Sequence, residues 1–162
     1  MKEILIKTVM TPLHDYVTLK ETDTIYDVFQ LLEKKRSESQ NAHRDVIVVN
    51  DDGKFKGKVT MLDIFRSLEP NYKKLFKDYK DGTLTKEYVI NAMRDFNLWV
   101  EPIQNLCERG ANIKISEIMH VPSEVEYLQE NDSLEKALHE YVMGVHQPLI
   151  VKNGDTVTGV LR

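Results

Sequence analysis

The sequence predicts an α/β (α+β) protein of two repeats, each a small sheet with flanking helices, packed about a pseudo-twofold axis with a helical insertion between them. Two observations carry this reading. The chain aligns with itself, and each copy switches between helical and strand periodicity in the same order. Met119 lies 109 positions after Met10, and the same offset matches Val9-Met10-Thr11 to Ile118-Met119-His120, Leu19 to Leu128, and Thr22-Asp23-Thr24-Ile25 to Asn131-Asp132-Ser133-Leu134. Further along, Val48-Val49 matches Ile150-Val151, Phe55 matches Val157 and Gly57 matches Gly159, now at an offset of 102. The first copy is therefore longer by 109 − 102 = 7 residues between its helix and its next strand.

The elements follow in order from local chemistry. Ile25, Val28, Phe29 and Leu32 fall at helical spacing, as do Leu134, Ala137, Leu138 and Tyr141. Thr22 or Asp23, and Asn131 or Asp132, stand ahead of these helices as N-caps, because a short side-chain oxygen can satisfy first-turn N–H groups. Each helix leads to an apolar strand, Val46 to Val49 or Pro148 to Val151. A turn at Asp51-Asp52-Gly53 or Asn153-Gly154 then closes a hairpin with a second strand, Phe55 to Met61 or Thr156 to Leu161. Leu62 to Leu68 reads as a further helix. A repeat of this size is too small to bury its sheet alone, whereas two can share a core. The boundaries read as repeat one over 1–68, insertion over 69–115 and repeat two over 116–162.

The insertion reads as helical. Tyr72, Leu75, Phe76 and Tyr79 form one apolar stripe, ended by Asp81-Gly82. Thr85 caps a second helix with a stripe of Val89, Met93 and Phe96, and Pro102 opens a third carrying Ile103 and Leu106. Buried packing is the commoner fate of such stripes.

Composition excludes several classes. A net charge of −4 argues against broad electrostatic capture of nucleic acid. No apolar run approaches the ~18 residues of a membrane helix, and Met1-Lys2-Glu3-Ile4 lacks a signal-peptide core, so a cytoplasmic chain without membrane insertion is expected. The single Cys107 has no CxxC partner and reads as a small buried hydrophobe. His139-Glu140 begins an HExxH pattern, but Met143 occupies the second histidine position, and there is no Gly-x-Ser-x-Gly elbow or phosphate-binding Gly-rich loop. An enzyme is not expected, and neither a metal site nor a catalytic cofactor is called.

The residues carrying the repeat resemble the tandem CBS-domain pair, or Bateman module. The resemblance rests on Lys7-Thr8-Val9-Met10-Thr11-Pro12, the helix from Asp23, the strand Val46 to Val49, and Gly57-Lys58-Val59-Thr60-Met61-Leu62-Asp63. The last stretch fits the pattern Gly-apolar-apolar-Thr/Ser-x-x-Asp except at Lys58. In the second copy His146 to Val151 and Gly159-Val160-Leu161 resemble the same motifs, but Arg162 stands where Thr or Ser is expected, which favours phosphate over ribose there.

The resemblance implies a regulatory, non-enzymatic module that binds AMP, ADP, ATP or S-adenosylmethionine between the copies, and a homodimer that signals to a regulated partner. Thr60 and Asp63 would hold the ribose, since an ionised carboxylate can accept both protons of a vicinal diol. The structural alternative is that Asp63 only caps its helix. His43, Arg44 and His146, with Lys58, are the phosphate candidates. Thr8, Met10, Val46 and Pro148 are candidates to line the adenine, against burial in the core. The competing reading is a ligand-free dimerisation or protein-interaction module anchored by the insertion's aromatic residues and Trp99.

Overall fold

A computed structural model of the protein describes residues 3–38, 44–72, 74–75, 85–144 and 146–162. Seven strands and six helices are described: β1 Thr11–Pro12, β2 Thr18–Lys20, α1 Ile25–Glu38, β3 Asp45–Val49, β4 Phe55–Thr60, α2 Met61–Leu68, α3 Lys86–Asp95, α4 Ile103–Gly110, α5 Ile115–Ile118, β5 Tyr127–Gln129, α6 Leu134–Val142, β6 Leu149–Asn153 and β7 Thr156–Leu161. Contacts divide the chain into two units that draw on both repeats: Met1–Glu21, Asp45–Lys58 and His120–Arg162 in one, Thr22–Arg44 and Val59–Met119 in the other.

The first unit holds both sheets. One has the order β2-β3-β4, the other β1-β7-β6-β5. Within each, the strand before the helix lies parallel to the strand after it, with Thr18 opposite Ile47 and Tyr127 opposite Ile150. Strand β6 alternates as a doubly covered strand must. Leu149 and Val151 pack with Ile6, Leu128, Ala137 and Leu161, while Ile150 points the other way to Tyr16, Ile47 and Val160. The second cluster joins the two sheets, and Phe55 meets Tyr127 edge to face at its margin.

The repeats exchange strands. β1, from the first copy, pairs antiparallel with β7 of the second, Thr11 opposite Val160 and Pro12 opposite Gly159. At the offsets of the repeat, the counterpart of Thr11 is His120 and that of Val160 is Lys58. Those two form an antiparallel bridge, each donating its N–H to the other's carbonyl, at 2.8 and 3.0 Å. The same reciprocity holds at the helix starts. Leu5 bridges Ser133, and within the second unit Lys114 bridges Thr24.

The second unit is helical. Ile25 and Tyr26 donate their N–H groups to Ile113 and Ala111, and Ile115 donates to Asp23, tying α1 to the approach of α5. Gly110 lets α4 close on α2, because a Cβ there would lie 2.2 Å from Leu68 Cδ2. Buried Glu69 accepts from the N–H groups of Asn71 and Trp99, and Trp99 Nε1 donates to Tyr72. These bonds hold the turn where Asn97 and Trp99 take positive φ of 50° and 56°. No described helix is long and apolar enough to cross a membrane.

Three expectations change. The helix caps are Thr24 and Ser133, not Thr22, Asp23, Asn131 or Asp132; Thr24 shares a reciprocal capping box with Asp27, and Ser133 accepts from Lys136 N. Asp132 instead accepts from Gln129 N and pairs with Lys136. Cys107 is exposed, because the buried stripe of α4 is Leu106 and Gly110. On α3, capped by Thr85 as expected, Ala92 is buried while Val89 and Met93 are 42% and 45% exposed. Of the stripe expected over Tyr72 to Tyr79, Phe76 and Tyr79 lie outside the described residues.

Gly159 is where the strand exchange is tightest, since an added Cβ would meet the Thr11 carbonyl oxygen and Met10 Sδ at 2.8 Å each. Gly159→Ala is expected to destabilise the protein by about 1–3 kcal/mol, read as a lower melting temperature. Thr156→Ala, exposed on the same strand, should change stability by less than about 0.5 kcal/mol.

Candidate functional site

Thr60 ends β4 and is the N-cap of α2, so the strand-to-helix turn decides where its hydroxyl goes. Asp63 stands three residues on, in the first helical turn. Its Oδ2 accepts from Thr60 N at 2.8 Å and Thr60 Oγ1 at 2.7 Å, while Asp63 N donates to Thr60 Oγ1 at 3.3 Å. This reciprocal box contributes about 1 kcal/mol to helix stability. It also fixes the plane of a half-buried carboxylate at a helix N-terminus. The structural role and the binding role are therefore compatible: the cap holds one oxygen and orients the group.

The remaining candidates fall in different surroundings. Arg44, in the same unit as Thr60 and Asp63, is exposed and makes no ion pair among the described residues. His43 lies outside the described residues. Thr8 is exposed and donates its hydroxyl to Leu5 O at 2.7 Å, while Met10 is half-buried against the first apolar cluster. Val46 is fully buried within β3. Pro148 is buried and follows a cis peptide bond from Gln147.

Lys58 is fully buried, which its place in a phosphate-binding reading does not require. Its Nζ contacts Glu126 Oε2 at 2.6 Å, donates to Pro148 O at 2.7 Å and donates to His146 O. The ammonium thus holds the backbone entering β6. Glu126 is 4% exposed and is surrounded by donors. Its Oε1 accepts from Ser123 N and Oγ, and His120 Nε2 lies 2.8 Å from both carboxylate oxygens. Burial pushes the Glu126 carboxyl up, but the hydrogen bonds from Lys58, Ser123 and His120 outweigh it and hold the group at about 2. The His120 ring stacks on His146, with centroids 3.9 Å apart and planes 11° from parallel. Sequence reasoning reached Lys58 and His146 but missed His120 and Glu126. The signal available was Lys58 itself, a charge at an apolar position of its motif that requires a buried counter-charge.

Arg162, at the counterpart of Thr60, pairs with Asp45 Oδ1 at 3.2 Å. Tyr16 donates its hydroxyl to Asp45 Oδ2, and burial together with that carboxylate pushes the Tyr16 phenol far up. Burial likewise pushes Tyr141 up to about 12. The charge expected to serve a phosphate is committed to a buried carboxylate.

Residues 6–70 match the family model of the CBS domain. The chain is also similar over nearly its whole length to solved CBS structures. A CBS-domain protein from Bacillus anthracis str. Ames Ancestor matches with TM-score 0.63 and 17% identity, over 98% of this chain and 86% of that one. Over residues 6–70 this chain is a CBS domain. Its fold is that of a tandem CBS pair, also matched by CBSX2 in complex with AMP (TM-score 0.59, 16% identity, 97% and 88% of the chains). The CBS domain of a bacterial CNNM/CorC family Mg2+ transporter in complex with ATP matches with TM-score 0.58 and 18% identity, over 96% and 78%. No curated protein matches the chain. The Thr60–Asp63 box lies within the matched domain.

The buried ion pair gives a stability test. Lys58→Val leaves Glu126 buried without its cation and is expected to destabilise the protein by about 3–5 kcal/mol in thermal or denaturant melts. Lys58→Val combined with Glu126→Val removes both charges and should return stability to within about 1 kcal/mol of the parent, or above it.

Proposed function

We propose that this protein is a regulatory module that binds an adenine nucleotide and is not itself a catalyst. The observation that carries this reading is the Thr60–Asp63 pair, a carboxylate held in fixed orientation by its own helix cap inside the matched CBS domain. Asp63 accepts the ribose hydroxyl protons, and charged acceptors of this kind make hydrogen bonds stronger than neutral ones. Arg44 supplies the phosphate cation, its guanidinium fork being exposed and suited to two phosphate oxygens. The AMP and ATP carried by two of the similar structures support the same ligand class.

Regulation follows from differential affinity. A nucleotide that prefers one conformation shifts the population towards it, and only that preference can act on a partner or on a second copy of the chain. The second reading, a ligand-free dimerisation module, is favoured by the exposed Val89, Ile90 and Met93 of α3.

Isothermal titration of AMP, ADP, ATP and S-adenosylmethionine separates the two. The nucleotide reading expects saturable binding of at least one ligand, weakened at least about 10-fold by Asp63→Asn and by Arg44→Ala. Asparagine keeps a capping oxygen, so a loss in Asp63→Asn reports the charge rather than the helix. Affinity unchanged in both variants, or no binding by any ligand, rejects the assignment and leaves the dimerisation reading.

A further inference from the structure

We propose that His120, Glu126 and His146 form a binding site for a divalent transition-metal ion of the zinc type. Each offers one ligand atom, and the three atoms lie within 4.8 Å of one another. A tetrahedral ion holds nitrogen and oxygen ligands at about 2.0–2.2 Å, so neighbouring ligand atoms sit roughly 3.5 Å apart. Because the His120 and His146 rings stack 11° from parallel, binding tilts them out of the stack until both nitrogen lone pairs converge on the ion. The rings are half-buried and Glu126 is buried, which shields the ligands from competing water.

The donor set selects the ion. Two imidazole nitrogens with one carboxylate suit zinc and its neighbours, leaving the fourth position open, whereas Mg2+ and Ca2+ require mostly oxygen ligands. Lys58 sharpens this choice. Its ammonium rests on Glu126 Oε2, so an ion approaches through Oε1, displaces the Ser123 hydroxyl from that oxygen and meets a nearby positive charge. Only the stronger bonds to nitrogen overcome that repulsion. On binding, the ion takes the place of His120 Nε2 as the group bridging to Glu126.

A comparison within the chain supports a role beyond packing. At the repeat offsets the counterparts of Lys58, His120, Glu126 and His146 are Val160, Thr11, Val17 and Arg44. Val160 and Val17 are buried, so the fold accepts an apolar pair where the other copy carries Lys58 and Glu126. A buried ion pair offers no stability advantage over such a pair. A buried Lys58–Glu126 pair with two imidazoles gathered on it, where the counterpart carries Val160, Val17, Thr11 and Arg44, is explained by what the cluster binds.

The test is titration of the chelator-stripped, nucleotide-free protein with ZnCl2 against a chromophoric competitor. One equivalent of zinc is expected to bind and to raise the melting temperature, with His120→Ala and His146→Ala each weakening it at least about 10-fold. His139→Ala, an exposed histidine outside the cluster, should bind as the parent does. If an alanine variant melts early, His120→Asn and His146→Asn retain a hydrogen-bonding side chain and are expected to show the same loss. No saturable zinc binding, binding indifferent to both cluster histidines, or displacement by equimolar Mg2+ overturns the assignment. Because no nucleotide is present, its failure is distinct from failure of the nucleotide reading.

Discussion

A three-stranded sheet has two edges, and an unpaired edge strand in a domain this small exposes backbone groups that must find partners. In this protein the partner comes from the other repeat. Thr11 and Pro12 cover the edge of β7, and His120 bridges Lys58 on β4. Leu5 and Lys114 repeat the exchange at the starts of α6 and α1. Ile6 and Ile115, equivalent residues next to those bridges, are both fully buried. Each repeat is therefore completed by a segment of the other, and the core clusters mix residues from both.

That constraint makes the joints the places where substitutions matter most. A joint position faces the core on one side and a segment of the opposite repeat on the other. Val160 and Val17 fill one such set of positions with apolar bulk. Lys58 and Glu126 fill the other with a buried ion pair, extended by Ser123, His120 and the carbonyls of His146 and Pro148. Desolvation makes this arrangement costly unless every group is satisfied, and the hydrogen bonds around Glu126 satisfy it. The result is a rigid polar joint at the entrance to β6.

What was legible in the sequence was whatever depends on local period. The apolar runs gave β3 and β6, the glycine turns gave both hairpins with Gly53 and Gly154 at positive φ, and the repeat offsets gave the equivalence of the halves. The Thr60–Asp63 geometry was legible as well, because a capping box is a three-residue pattern. Thr24 and Asp27 carry the same pattern and could have located the first cap, but Thr22 and Asp23 offered competing oxygens. The two-residue β1 was not legible, since its identity as a strand depends on β7, some 150 residues away by the chain. Nor was the fate of Lys58, because the carboxylate that permits its burial comes from the other repeat.

The same logic explains why equivalent positions serve different chemistry in the two copies. Thr60 closes a helix cap and leaves Asp63 oriented at a helix N-terminus. Its counterpart Arg162 reaches back across the first unit to Asp45, which is already accepting from Tyr16. A phosphate approaching Arg162 would compete with a buried carboxylate that cannot leave, and stripping Asp45 of its cation would strand that charge in the interior. Arg44 faces no such competition, being exposed and unpaired among the described residues. Repetition built the frame and its joints diverged: Thr60 and Arg162, equivalent by the repeat, are tied to different carboxylates, Asp63 and Asp45.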